Sequence, residues 1–286
     1  MLLNLCVFGS QSTKTARNHR VYSRRWDALG AAGNRALQTP NLDWLASSGH
    51  HFKNNFVTTS ICPSSRASIM MGEYSGGGYQ QTCRQYHRLI KGIDDLTGSV
   101  IDTLQAKNQL AESLIAFTSD NSFLLGEHGL AGKWWGFEES IRTPLILKLP
   151  DAMGQSNKKD IQEISLNIDI APTILDSAGI SRPDTMQGQS LLPRMQDRPY
   201  AGRKDFLYEH LFKHPRIART IGLRSEKYKY LRYPDQDQKH EMLFDLQSDP
   251  FELENLVNKS QHHRALEALR SRTLELELVN QLPTQG

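Results

Sequence analysis

The chain has 286 residues, 38% of them hydrophobic, with 34 lysines and arginines against 31 aspartates and glutamates and a formal net charge of +3. That length buries a core large enough for one large domain or two smaller ones, and so mild a charge argues for neither a nucleic-acid partner nor a membrane surface. Three cysteines, Cys6, Cys62 and Cys83, are an odd count that excludes a complete disulfide framework, and no apolar run is long enough to span a bilayer.

Along the chain, Met1 to Phe8 is apolar but has no preceding positive charge and no small-residue cleavage site, so it does not read as a secretory signal. Gly9 to Arg25 is rich in Ser, Thr, Asn and Arg with hardly any apolar side chain, so residues 1–25 are expected to form an atypical, flexible, basic N-terminal segment. The most informative stretch runs from Ser60 to Gly72. Pro63 biases Cys62 toward an extended conformation, Ser64 or Ser65 can cap a short helix, and the free N–H groups of its first turn then point at an anion. Arg66 adds a fixed charge with a planar donor fork. On its own Cys62 reads equally as a buried free thiol or half of a disulfide.

Past the triplet Gly76 to Gly78, the spacing predicts a helix over Tyr86 to Leu104 with Leu89, Ile90, Ile93, Leu96, Val100, Ile101 and Leu104 on one face. Leu114 to Thr118 reads as a buried strand followed by Asp120 and Asn121, two oxygen donors of the kind hard cations take, at the strand end where open α/β sheets place their sites. Taken alone, such a pair is more often a turn or a cap. His128 lies in a glycine-flanked turn, where a lone histidine is usually solvated, and Lys133 follows Gly132. A strand over Leu145 to Leu149 and a helix over Asp169 to Ala178, capped by Asp169, continue the rhythm. This alternation implies a mostly parallel sheet covered by helices. From Arg203 the pattern becomes antiparallel, with short strands at Thr220 to Leu223, Tyr228 to Tyr233 and Met242 to Leu246, and a closing helix over Ser260 to Asn280.

Taken jointly, these segments resemble the type I sulfatases of the alkaline phosphatase-like superfamily. Cys62, Ser65, Arg66 and Gly72 match the family's nucleophile motif, with Ser64 where a proline is usual; Asp120, Asn121 and Lys133 match its second block, with Ser122 in place of a glycine. Trp26 to Gly30, Thr39 to Ala46, Phe56 to Thr59, Glu138 to Ile146, Leu243 to Leu246 and Asp249 to Leu256 match further segments, and the likeness is nearest to N-acetylglucosamine-6-sulfatases and other carbohydrate sulfatases. The resemblance implies an α/β fold, a mostly parallel sheet sandwiched by helices, with a small C-terminal α+β subdomain. It divides the chain into residues 26–195, with an internal deletion near 76–80, and residues 196–286.

The resemblance also implies a site. Cys62 would be oxidised to formylglycine by a formylglycine-generating enzyme, and would be both nucleophile and ligand to a calcium ion. Asp120 and Asn121 would hold the same ion, Arg66 and Lys133 would bind the sulfate, and His128 would contact the substrate or its leaving group. The substrate would be a sulfate ester of a small molecule or glycan, and relatives of this kind are usually exported or lysosomal. Two departures stand against full activity: Tyr22 and Ser23 occupy the positions of the family's paired aspartates, and a stretch after Gly72 that carries a Gly-Lys-Trp-His motif is missing. Gly132-Lys133-Trp134-Trp135 is not that motif, because it follows the Asp-Asn pair. Loss of a general acid costs about 10² to 10⁴ in rate and each lost charge stabiliser about 10² to 10³. The expected function is therefore a sulfuric ester hydrolase of impaired activity. Two alternatives are an inactive sulfatase remnant or sulfated-glycan-binding protein, and a phosphoric or phosphonic ester hydrolase of the same superfamily.

Overall fold

The computed structural model describes residues 3–9, 19–21, 27–34, 37–58, 79–157, 159–213, 217–235 and 240–280. In chain order it contains β1 (Leu3–Gly9), β2 (His19–Val21), α1 (Pro40–Ser48), β3 (His50–Phe52), β4 (Asn55–Phe56), α2 (Tyr79–Ala106), β5 (Ser113–Ser119), β6 (Leu124–Leu125) and β7 (Ala131–Gly132). Then come α3 (Glu138–Ile141), β8 (Leu145–Lys148), β9 (Asp160–Ile161), β10 (Ser165–Leu166), α4 (Ile170–Ser177) and α5 (Leu192–Met195). The chain closes with β11 (Asp205–His210), β12 (Thr220–Ser225), β13 (Tyr228–Arg232), β14 (Glu241–Asp245) and α6 (His263–Asn280).

β5 shows how the main sheet is built. Side chains alternate across a strand, and here both faces are apolar, which is the pattern of a sheet covered on both sides. Ile115 and Phe117 pack with Ile146 of β8 against Leu42 and Leu45 of α1 and Ile93 and Leu104 of α2. Leu114 and Ala116 pack with Leu145 and Leu147 on the opposite face, under Ile170 and Ile174 of α4 and Leu192 and Met195 of α5. The result is a three-layer helix–sheet–helix stack of the expected α/β class.

Strand directions differ from the mostly parallel arrangement the sequence suggested. The six strands run in the order β2-β1-β5-β8-β3-β9, and only β3 with β9 is parallel in this sheet; β4 with β10 is a second, separate parallel pair. Parallel neighbours need a crossover, usually a helix that spans the sheet. Between β5 and β8 the chain instead leaves and re-enters at one end, with Leu145 opposite Thr118. Of residues 1–25, expected as a flexible segment, 3–9 and 19–21 are described, and both stretches are strands. β1 pairs with β5 over seven positions, from Leu3 opposite Ser119 to Gly9 opposite Ser113, and β2 pairs with β1. A long unpaired edge on β5 would leave a row of orphan N–H and C=O groups, and this pairing satisfies them.

The smaller sheet, β11-β12-β13-β14, is antiparallel throughout, as the sequence indicated. α6 covers it through Leu266 and Leu269, which pack on Leu223, Tyr230 and Leu243. α2 begins at Tyr79 rather than Tyr86, and the glycines of the proposed deletion, 76–78, lie outside the described residues. Asp169 precedes α4 without capping it. Its carboxylate accepts instead from the Leu166 and Gln189 N–H groups and from both terminal nitrogens of Arg203. No described helix is long and apolar enough to cross a membrane.

Candidate active site

The excursion between β5 and β8 begins with Asp120 and Asn121 and is held at the carboxyl end of β5 by short contacts. Ser119 Oγ donates to the Asn121 carbonyl at 2.6 Å, and the Ser122 N–H donates to the Ser140 carbonyl at 2.9 Å. Next, β6 and β7 form a hairpin in which Leu124 faces Gly132 and Leu125 faces Ala131. Continuing that register by one residue sets Lys133 across from Phe123, two residues from Asn121. Asn121 and Lys133 are 1% and 5% exposed. A lysine is almost never so buried without a partner, and Lys133 has one.

The local sequence explains the hairpin's shape. Gly126, Gly129 and Gly132 have φ of 132°, 68° and 98°, values open to residues without a Cβ. His128 and Trp134 reach φ of 55° and 84° without that freedom, at a cost of about 1–2 kcal/mol each. Specific contacts hold both. The His128 ring stacks on Phe137 with centroids 3.9 Å apart, and its Nε2 lies 3.3 Å from Glu139 Oε2. Tyr208 donates to the Trp134 carbonyl at 3.2 Å. His128, expected at the substrate or its leaving group, thus has one ring nitrogen and one ring face committed inside the loop.

Behind the hairpin is a group of charges that sequence reasoning missed. Lys229 on β13 sits 2.8 Å from both Glu138 Oε1 and Glu252 Oε1, and Arg224 on β12 reaches Glu138 at 3.4 Å. The Glu138 N–H donates to Glu252 Oε2 at 2.7 Å. Burial pushes Glu138 up, but Lys229, Arg224 and Arg142 outweigh it and hold the carboxyl at about 2. Burial dominates at Glu252 and pushes it up to about 7, with Lys229 pulling the other way. Glu252 also comes within metal-ligand spacing of His128 and Glu139. Its Oε2 accepts from the Glu138 N–H and its Oε1 is ion-paired with Lys229, although neither Lys229 Nζ nor Glu252 Oε1 makes a hydrogen bond among the described residues. Asp120 and Asn121, both oxygen donors, are the better match to a hard cation, and the Asn121 Nδ2 has no partner among the described residues.

Of the residues expected at the site, Asp120 and Asn121 directly follow β5, Lys133 directly follows β7, His128 lies in the loop between β6 and β7 against Phe137, and Cys62 and Arg66 lie outside the described residues. Thr58, the last described residue before them, is joined to the smaller sheet by a hydrogen bond from the Glu209 N–H to its carbonyl.

Comparison with known proteins identifies relatives. Residues 126–278 match the family described as N-sulphoglucosamine sulphohydrolase, C-terminal. An N-acetylglucosamine-6-O-sulfatase of Bacteroides thetaiotaomicron is 32% identical over 189 residues, which cover 64% of this chain and 33% of the relative. A choline-sulfatase of Rhizobium meliloti is 37% identical over 178 residues, covering 61% and 33%. Among solved structures, one described in complex with its substrate D-glucosamine-2-N,6-O-disulfate superposes with a TM-score of 0.65 at 28% identity, over 78% of this chain and 47% of that one. The phosphonate monoester hydrolase of Agrobacterium radiobacter gives a TM-score of 0.76 over 91% and 94% at 14% identity, a likeness of fold alone. The chain spans about a third of the length of the curated relatives it matches.

Proposed function

Since the chain belongs to the sulfatase family whose N-sulphoglucosamine sulphohydrolase C-terminal profile it matches, we propose that it acts on a sulfate ester of an amino sugar at the carboxyl end of β5. The observation that supports this reading is the β6–β7 hairpin, with buried Asn121 shortly before it and buried Lys133 directly after it, within and beside the stretch that matches the family. Lys133 supplies a fixed positive charge for the sulfate oxygens in a water-poor setting, where such a charge acts most strongly. Asp120 and Asn121 provide oxygen donors for a calcium ion, which would draw negative charge from the sulfate. Cys62, converted to formylglycine by a maturation enzyme, is the nucleophile in this reading, with Arg66 beside it. His128 serves as an anchor, because its Nε2 and ring face already hold the hairpin on Glu139 and Phe137.

One observation favours a second reading, binding without efficient turnover. Tyr22 and Ser23, at the positions of the family's paired aspartates, supply no carboxylate for the cation. Assays with 4-nitrophenyl sulfate, 4-nitrophenyl phosphate and glucosamine 6-sulfate, on protein matured in the presence of calcium, separate the readings. Sulfate turnover that falls about 10² to 10³-fold in Lys133→Ala supports the enzyme, and binding without turnover supports the second reading. A preference for the phosphate ester moves the assignment to the phosphoric ester hydrolases. A wild-type protein that neither binds nor turns over any sulfate ester overturns both of the first two readings.

A further inference from the structure

His128, Glu139 and Glu252 come from three separate segments, the β6–β7 loop, α3 and the stretch between β14 and α6, yet one ligand atom of each lies within 4.8 Å of the others. His128 Nε2 stands 3.3 Å from Glu139 Oε2, close to the roughly 3.4 Å that separates two ligand atoms each about 2.1 Å from one ion at a tetrahedral angle. The imidazole is already fixed in its plane, because the ring stacks on Phe137 with centroids 3.9 Å apart and planes inclined by 13°. Glu252 adds an independent observation. Its side chain is 0% exposed, and its Oε1 accepts no hydrogen bond among the described residues. A carboxylate oxygen so buried calls for a partner. Lys229, 2.8 Å away, is shared at the same distance with Glu138. Glu138 also has Arg224 at 3.4 Å and Arg142 at 3.9 Å, so Glu138 still compensates Lys229 when Glu252 turns to an ion.

We propose that His128, Glu139 and Glu252 bind a divalent transition ion of the zinc class, through a donor set different in kind from Asp120 and Asn121. Ligand chemistry decides the class. Calcium and magnesium take oxygen ligands, whereas an imidazole nitrogen joined by two carboxylates suits zinc and its first-row neighbours. Charge agrees, since a neutral imidazole and two carboxylates carry two negative charges, which a divalent ion cancels. The side chains of His128 and Glu139 are each 10% exposed, so the ion is reached from their side and water completes its coordination, while Glu252 closes the site from within. Such an ion takes over the contact between His128 and Glu139 and ties the β6–β7 loop and α3 to the segment that follows β14.

This site stands independently of the sulfatase reading. The full chain, stripped of metal with a chelator, is titrated by calorimetry with zinc chloride and separately with calcium chloride, alongside His128→Gln, Glu139→Gln and Glu252→Gln. Wild type is expected to take up one equivalent of zinc that each variant binds at least about tenfold more weakly, because even groups that only orient a metal ligand are worth that much in affinity. Zinc should raise the thermal unfolding midpoint of wild type, since it binds the folded state, and leave those of the variants in place. In wild type, the His128 ring resonances should shift on addition of zinc and stay in place with calcium, a readout that needs no variant to fold. Zinc taken up equally by wild type and variants, no zinc uptake, or unmoved His128 resonances overturns the site and leaves the sulfatase reading intact. Resonances that move as much with calcium as with zinc overturn the class of ion.

Discussion

His50 and His51 stand side by side on β3, both buried, and burial lowers each to about 4, with Lys159 adding to the effect at His50 and Lys53 at His51. A histidine depressed from 6.5 in the folded state contributes stability that is present above pH 6.5 and lost as the pH falls toward 4, because the unfolded chain takes up the proton first. From pH 6.5 to 5 this amounts to about 2 kcal/mol per residue at 1.36 kcal/mol per unit. Glu252 has the opposite sign: its raised pKa gives stability below 4.5 that is lost as the pH rises to about 7. Comparing wild type with His50→Leu isolates the histidine. The variant's deficit, measured by urea unfolding, should be about 2 kcal/mol smaller at pH 5 than at pH 7; an identical deficit at both values would contradict the burial argument. Neither histidine stood out in the sequence, because a His-His pair at a strand start reads as solvated polar residues until the neighbouring strand covers it.

At the scale of elements, the α1–α2 contact turns on Asp94. Its buried carboxylate accepts from the Leu42 N–H at 2.9 Å and from Asn41 Nδ2 at 3.1 Å, so one helix caps the amino end of another. Orphan N–H groups and the helix dipole both favour an anion there. Gly98 allows the approach, since a Cβ on it would come within 2.7 Å of the Asn41 side chain. Asp94→Ala should lower stability by about 2–3 kcal/mol, and Asp94→Asn by less, because the amide oxygen still accepts one bond. Thermal unfolding of the two variants tests this ordering. Periodicity located α2 and most of its apolar face, with Ile90, Ile93, Ile101 and Leu104 buried. It also put Leu96 on that face, whereas Leu96 is 41% exposed and Asp94 is buried. A hydrophobic pattern has no means of flagging a carboxylate whose burial depends on a helix some fifty residues away.

Among the described residues, the β4–β10 pair and α3 meet the four-stranded sheet across a seam. Phe56, Val57, Ile141, Phe206, Tyr208 and Leu231 form its apolar part. Glu138, Arg224, Lys229 and Glu252 form its ionic part, with the Arg224 guanidinium 4.4 Å from the Phe56 ring centroid. Removing one member of a buried ionic group leaves the remaining charges uncompensated, so Lys229→Met should cost about 3–5 kcal/mol. Changing Glu252 to Gln alongside it removes the carboxylate that loses its lysine, while Arg224 keeps Glu138 paired, and should restore a substantial part of the loss in denaturant titrations. α3 and the hairpin are fastened to this seam through Glu138 and Tyr208. Lys229→Met is therefore also expected to reduce turnover of a sulfate ester below wild type at temperatures where it stays folded.

Sequence by itself determined the α/β class, the α6-covered antiparallel sheet, and the order Asp120, Asn121, His128, Lys133. These follow from short-range periodicity and residue type, which each segment carries within itself. Strand direction, the pairing of β1 with β5, the diversion of His128 to Phe137 and Glu139, and the burial of Asp94 and the Lys229 group were decided by the tertiary structure. Each depends on which distant backbone supplies the missing hydrogen-bond partner or excludes water, and no local pattern of side chains encodes that choice.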